Sequence, residues 1–402
     1  MTALLIFVAT YVTLALGRFP GLRVDRTGAA IIGASLMIGF DVLTFEEAMA
    51  AIDHSTIVLL FGMMLVVANL RLSGFFRVVG SWAARHAHRP LTLLGAVIGV
   101  SGFFSAFFVN DTMCIVLTPL VLDICLALQL NPVPYLLAVA MSANAGSVAT
   151  ITGNPQNMMV GSLSRIPYRD FTLALAPVAV FGLLATFGVI ALLYRAEFRM
   201  SRRVELPEIR TRVNRVLMWK SLAASAAMVV LFFAGWPVAK VAIVAGGVLM
   251  ITRRVKPEKV YKEIDWSLLA LFAGLFIVVA GFERTAVEEE LVRFAQRSGL
   301  DRIGVLTAAA AIVSNVVSNV PAVLLFRPLI PGLADPQQGW LVLAMASTLA
   351  GNFTIVASVA NLIVVQRAKQ RAPITFWEYF RAGAPLTVVT LAAGAAWLAW
   401  IR

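Results

Sequence analysis

Charged residues make up only 13% of this 402-residue chain, which has just two cysteines and three histidines. A soluble globular chain is about 25% charged and about 45–50% apolar; this one is 60% apolar. So little charge excludes a soluble enzyme, a DNA-binding domain, a coiled coil and a disordered chain. Cys114 and Cys125 both stand inside apolar stretches, which excludes a disulfide framework and a four-thiolate metal site. His86 and His88 have no carboxylate nearby and read as solvated loop residues, not metal ligands. The polar–apolar alternation of an outer-membrane barrel strand is missing too.

What is present is apolar length, enough for about a dozen spans at roughly 20 residues each. The chain reads as an all-α polytopic membrane protein. Its net charge of +12 sits in short loops between apolar runs, the positive-inside bias of such proteins and not a nucleic-acid surface. Spans are predicted near 2–17, 27–40, 55–70, 134–161, 171–194, 221–235, 238–252, 266–282, 339–365 and 383–401. The runs 91–129 and 303–331 are interrupted by Val109-Asn110-Asp111-Thr112 and Val317-Ser318-Asn319-Val320-Pro321, and their short arms read as re-entrant hairpins.

No basic residue precedes the first run and Arg18 follows it, so it reads as a span with its N-terminus outside, not a signal peptide. Ten crossings of the inner membrane then leave 18–26, 71–90, 195–220, 253–264 and 366–381 in the cytoplasm, with 24 of the 33 Lys and Arg. The acidic loops 41–53 and 283–302 fall outside.

The two halves resemble each other. Asp53, Ser55, Leu59, Gly62, Val66, Val67 and Ala68 recur 212 residues on, from Asp265 and Ser267 through Gly274 to Ala280. Ser105, Asn110, Pro119 and Leu120 recur at an offset of 209, and Thr150 and Asn157 at 204. With five crossings per half, the repeats are inverted. The first, 1–194, holds a hairpin at 91–129 and a broken helix at 134–161. A basic cytoplasmic linker, 195–220, leads to the second, 221–402, with a hairpin at 303–331 and a broken helix at 339–365. Inverted repeats with helices broken at the midplane are the plan of a secondary transporter.

Interrupted backbone at membrane depth is tolerated where it lines a cavity. Four polar clusters mark such places, and their candidate substrate-binding residues are Asn110 and Thr112; Gly153, Asn154 and Asn157; Ser318 and Asn319; and Gly351, Asn352, Ser358 and Asn361. Asn154 before Pro155, and Ser318 or Asn319 before Pro321, suit helix starts, whose free amides favour an oxyanion or a polar oxyacid. A carboxylate at the bilayer centre costs about 2.5–3.5 kcal/mol and usually marks an ion path, so Asp111 reads as the coupling-proton carrier. Cys114, three residues on, is a candidate metalloid contact, although a buried thiol is more often a small apolar residue. Arg327 is a candidate charge for an anion, and Asp123 and Lys240 a candidate pair. No Gly-x-Gly-Asp, His-Glu-x-x-His or Ser/His pairing is found within the apolar segments, so the chain reads as a transporter without catalytic residues or cofactor.

Phe108-Val109-Asn110-Asp111 with Leu117-Thr118-Pro119, Ser318-Asn319-Val320-Pro321, and Gly351-Asn352-Phe353-Thr354 with Ser358-Val359-Ala360-Asn361 resemble motifs of the ion transporter superfamily, arsenite efflux permeases in particular. Gly153-Asn154-Pro155-Gln156-Asn157 is closer to the divalent-anion symporter branch, whose Ser-Asn-Thr tips this chain replaces with Asn110-Asp111-Thr112 and Ser318-Asn319-Val320. The resemblance implies arsenite or antimonite efflux by proton antiport. A proton- or sodium-coupled permease for an inorganic or dicarboxylate anion is the alternative. A soluble ATPase subunit, implied by some relatives, and a second copy of the chain are left open as partners beside the bilayer.

Overall fold

Backbone that enters a bilayer must satisfy its own hydrogen bonds, and in this chain it does so as helices. The computed structural model describes residues 1–17, 23–86, 89–198, 213–285 and 297–401, with residues 290 and 293 besides. Most of the 195–220 linker lies outside the described residues, as do Arg18, His88, Glu288 and Glu289.

The first half runs α1 (Thr2–Leu16), α2 (Arg26–Gly39), α3 (Phe45–Ala51), α4 (His54–Ser73), α5 (Phe75–His86), α6 (Pro90–Phe107), α7 (Asn110–Ala127), α8 (Pro132–Ser147), α9 (Pro155–Ser164) and α10 (Tyr168–Leu193). After the short α11 (Arg195–Phe198) come α12 (Arg215–Phe233), α13 (Val238–Met250), α14 (Pro257–Tyr261) and α15 (Trp266–Phe282). The chain closes with α16 (Ile303–Val317), α17 (Asn319–Phe326), α18 (Pro336–Ala350), α19 (Val359–Ala368) and α20 (Phe376–Trp400).

Several repeated residues turn out to be helix punctuation. Asp53 caps α4 by accepting from Ser55 N at 3.2 Å, and Asp265 caps α15 by accepting from Leu268 N at 2.9 Å. Gly62 and Gly274 mark close crossings. α4 packs on α13 and α15 on α2, and a Cβ on Gly62 or Gly274 would stand 2.6 or 2.7 Å from the facing backbone. Small residues at such crossings let membrane helices approach closely.

Both predicted broken helices are broken. α8 ends at Ser147, a 3₁₀ turn spans Ile151–Gly153, and α9 starts at Pro155. In the second half α18 ends at Ala350, a turn spans Ile355–Ala357, and α19 starts at Val359. α8 is buried from Pro134 to Ser147 without interruption, and α18 from Val342 to Ala350. These two helices form the centre, and helices with exposed apolar stripes surround them, as on α1 with Leu5, Val8, Val12 and Leu16.

The two predicted hairpins differ. The first break falls at the extended pair Phe108-Val109. Both of its arms, α6 and α7, have 18 residues, about 27 Å of helix, and belong with α4, α10, α12 and α20 to the six helices long and apolar enough to cross a membrane among the described residues. In the second, α16 has 15 residues and α17 only 8, about 12 Å.

Candidate functional site

Asn144 is a lone amide on the otherwise apolar and small-residue helix α8, fully buried. Its Nδ2 donates to Asn352 Oδ1 at 2.9 Å and Asn361 Oδ1 at 3.0 Å. Its Oδ1 accepts from Asn110 Nδ2 at 3.0 Å and Ser358 Oγ at 3.2 Å. One side chain thereby ties the start of α7 to both edges of the α18–α19 break.

Thr348 holds the equivalent place 204 residues on. Its hydroxyl accepts from Asn154 Nδ2 at 3.2 Å and Gln156 Nε2 at 3.0 Å, and lies 3.5 Å from Asn157 Oδ1. The contact of 144 with 361 therefore recurs as 348 with 157, and that of 144 with 358 as 348 with 154. Each half's central helix bonds to the other half's break.

Asn319 closes the ring. With its amide nitrogen donating to the carbonyls of Ser347 at 3.1 Å and Ala357 at 3.2 Å, its oxygen accepts from Gln156 Nε2 at 3.2 Å. Ser318 just before it sits at φ 79° and ψ 162°, a region almost reserved for glycine.

Between these breaks lies a cavity of about 70 Å³. The helix starts bring to it the polar Asn110, Asp111, Gln156, Ser318, Asn319 and Ser358, with apolar Pro155, Val320, Pro321 and Val359 beside them. The rest of the lining is Leu14 of α1, Arg26 of α2, and Leu268 and Leu271 of α15. One water needs about 10–15 Å³ of such space, so the cavity suits several waters or one small solute. The Asp111 carboxyl makes no hydrogen bond among the described residues, although its backbone N–H donates to Asn110 Oδ1 at 2.9 Å. It lies near enough to Asp265 to feel that charge.

Five predicted residues thus meet at the cavity: Asn110, Asp111, Ser318, Asn319 and Ser358. Asn154, Asn157, Asn352 and Asn361 lie behind it, their amides used within the two networks. Gly153 and Gly351 serve close approach: a Cβ on Gly153 would strike the Ser147 carbonyl, and one on Gly351 would lie 3.0 Å from the Thr348 carbonyl. Thr112 and Cys114, named as candidates with them, are not part of this cavity's lining, and Cys114 is fully buried. Arg327 faces Glu283 at 3.6 Å, and Asp123 pairs with Arg371 at 2.6 Å, not with Lys240.

Sequence reasoning missed Asn144, Thr348 and Arg26, and quoted Gln156 without assigning it a role. A lone buried amide in an apolar helix was the available signal for Asn144. Arg26 was hidden among the loop charges.

The sequence model of the citrate transporter family matches residues 5–350. The chain belongs to that family. The citrate transporter family lies within the ion transporter superfamily that the motifs resemble. Its relatives include an uncharacterized transporter of Mycobacterium tuberculosis, 32% identical over 100% of this chain and 98% of that protein. A silicon efflux transporter of Oryza sativa subsp. japonica is 30% identical, over 93% of this chain and 92% of its own length. Among solved structures, MtrF of Neisseria gonorrhoeae has a TM-score of 0.64 at 13% identity, covering 98% of this chain and 93% of that one. At that identity the likeness is one of fold. The citrate transporter family member described here is a polytopic membrane transporter.

Proposed function

We propose that this protein is a secondary transporter of the inner membrane that exports arsenite or antimonite in exchange for protons. The observation that carries this reading is the cavity wall: neutral amides and hydroxyls from four interrupted helices surround one carboxyl, Asp111, that has no hydrogen-bond partner among the described residues. Arsenite is largely a neutral trihydroxide at neutral pH and suits such donors and acceptors. The rice relative's named cargo, silicon, is likewise a small neutral hydroxide in water.

Asp111 carries the proton. It is protonated from outside as the substrate leaves and deprotonated inside as the next one binds. The halves are inverted repeats, and both hairpins are re-entrant. Arms entering from opposite faces that contribute Asn110 and Asn319 to one cavity support tips that stop at mid-depth. The crossed bonds of Asn144 and Thr348 support alternating access by a body that contains both broken helices, since rocking one half against the other would sever them.

Proton-driven arsenite uptake into inverted vesicles tests this. Asp111→Asn is expected to abolish the dependence on a proton gradient while the protein still inserts; normal gradient-driven uptake by that variant removes the coupling role. A coupled permease for an inorganic or dicarboxylate anion is the second reading, favoured by the family's description as citrate transporters. Failure to protect an arsenite-sensitive host would favour it.

A further inference from the structure

We propose that Arg26 contacts the substrate and fixes its charge class: a neutral or singly charged oxyacid, not a polycarboxylate. The inference rests on the cavity being the transport site. Arg26 opens α2, is half-buried, and lines the same cavity as the polar helix starts. The acids around it are engaged elsewhere. Asp25 caps α2 by accepting from Gly28 N at 2.8 Å, and Asp265 caps α15 by accepting from Leu268 N at 2.9 Å.

Among the described residues the Arg26 guanidinium has no hydrogen bond or ion pair. Removing a cation from water without a partner is unfavourable, so an unpartnered guanidinium beside a polar cavity points to a ligand that completes it. Its planar fork matches two oxygens of an oxyacid, and the amides and hydroxyls that share the lining are donors and acceptors for the remaining ones.

Charge then limits the cargo. Among the described residues, Arg26 and Asp111 are the two ionisable side chains lining the cavity. With Asp111 ionised the two lining charges cancel, and a neutral hydroxide fits; the Asp265 carboxylate close by adds to the repulsion of any polyanion. With Asp111 protonated the Arg26 fork is the one charged group on the lining, and its N–H donors can hold a monoanion. A tricarboxylate would bring at least two uncompensated charges into a cavity of about 70 Å³ with apolar Leu14, Leu268 and Leu271 on one side.

The test compares nitrate and citrate on the purified full chain, reading the shift in melting temperature, and in vesicles, reading inhibition of arsenite flux. Nitrate is expected to act on the wild type, and citrate to be inert at the same concentration. In Arg26→Gln the nitrate concentration needed should rise about tenfold or more, the size of one lost charge-assisted hydrogen bond, while Arg26→Lys keeps part of the effect. No effect of nitrate on the wild type, an equal effect of citrate, or an unchanged nitrate response in Arg26→Gln would each overturn the proposal. The melting shift needs no arsenite movement. A chain that carries no arsenite yet shows the expected shifts loses the proposed function and keeps this inference; active export with an Arg26-independent nitrate response does the reverse.

Discussion

At the scale of single residues, composition and environment part company. Asp111 was legible because a lone acid in an apolar run is expensive, and the structure gives it a cavity wall. Arg26 was not legible, because a cation at a span end looks like any loop charge until the fold turns it toward Leu268 and Leu271. Exposed charges can also be set by one neighbour. On the short helix α3, Glu47 receives Arg284 Nη2 at 2.6 Å, and that bond, with the Thr44 backbone N–H, lowers its carboxyl from 4.5 to about 2. A lowered value in the folded state means the contact is fully present above about 4.5 and is lost as the pH falls through about 2. Carboxyl titration by NMR should find Glu47 near that low value, and Arg284→Gln should return it toward 4.5.

At the scale of elements, the breaks were legible and their chemistry only in part. Clusters such as Gly153-Asn154-Pro155 announce a stop and restart, and α8, a 3₁₀ turn and α9 follow from them. The polar residues in those clusters looked alike in sequence, yet tertiary packing sends Ser358 to the cavity and holds Asn361 behind it. Backbone geometry was invisible as well. Ser318 departs from its first-half counterpart Val109, at φ −43°, by taking positive φ at the start of α17. Such a conformation costs about 1–3 kcal/mol for a residue with a Cβ. Glycine would relieve that and lose about 0.5–1 kcal/mol to unfolded-state freedom. Ser318→Gly should therefore melt higher than Ser318→Ala in detergent. Equal melting temperatures would mean that the tip is unstrained.

At the scale of the whole molecule, the proposed orientation rests on the loop charges. Arg71 pairs with Glu263, joining two loops expected in the cytoplasm. Arg284 pairs with Glu47, joining the two acidic loops expected outside. Exposed Trp219, Trp236, Trp266, Trp377 and Trp400 stand at or near helix ends, where aromatic rings meet lipid headgroups. Cysteines placed in loops 41–53 and 366–381 should react with a membrane-impermeant maleimide from opposite sides of a sealed vesicle. Reaction of both from one side would overturn the topology.

The crossed bonds have a consequence for energetics. Asn144 has both a carbonyl and an amino group and uses each twice; Thr348 has a single hydroxyl. The two halves of the centre are therefore held by unequal sets of bonds, four at Asn144 and three on the one hydroxyl of Thr348. On the proposed cycle the body that contains both broken helices moves as a unit, and both sets stay made. Any preference of the empty carrier for one facing must then come from the contacts between this body and the helices around it.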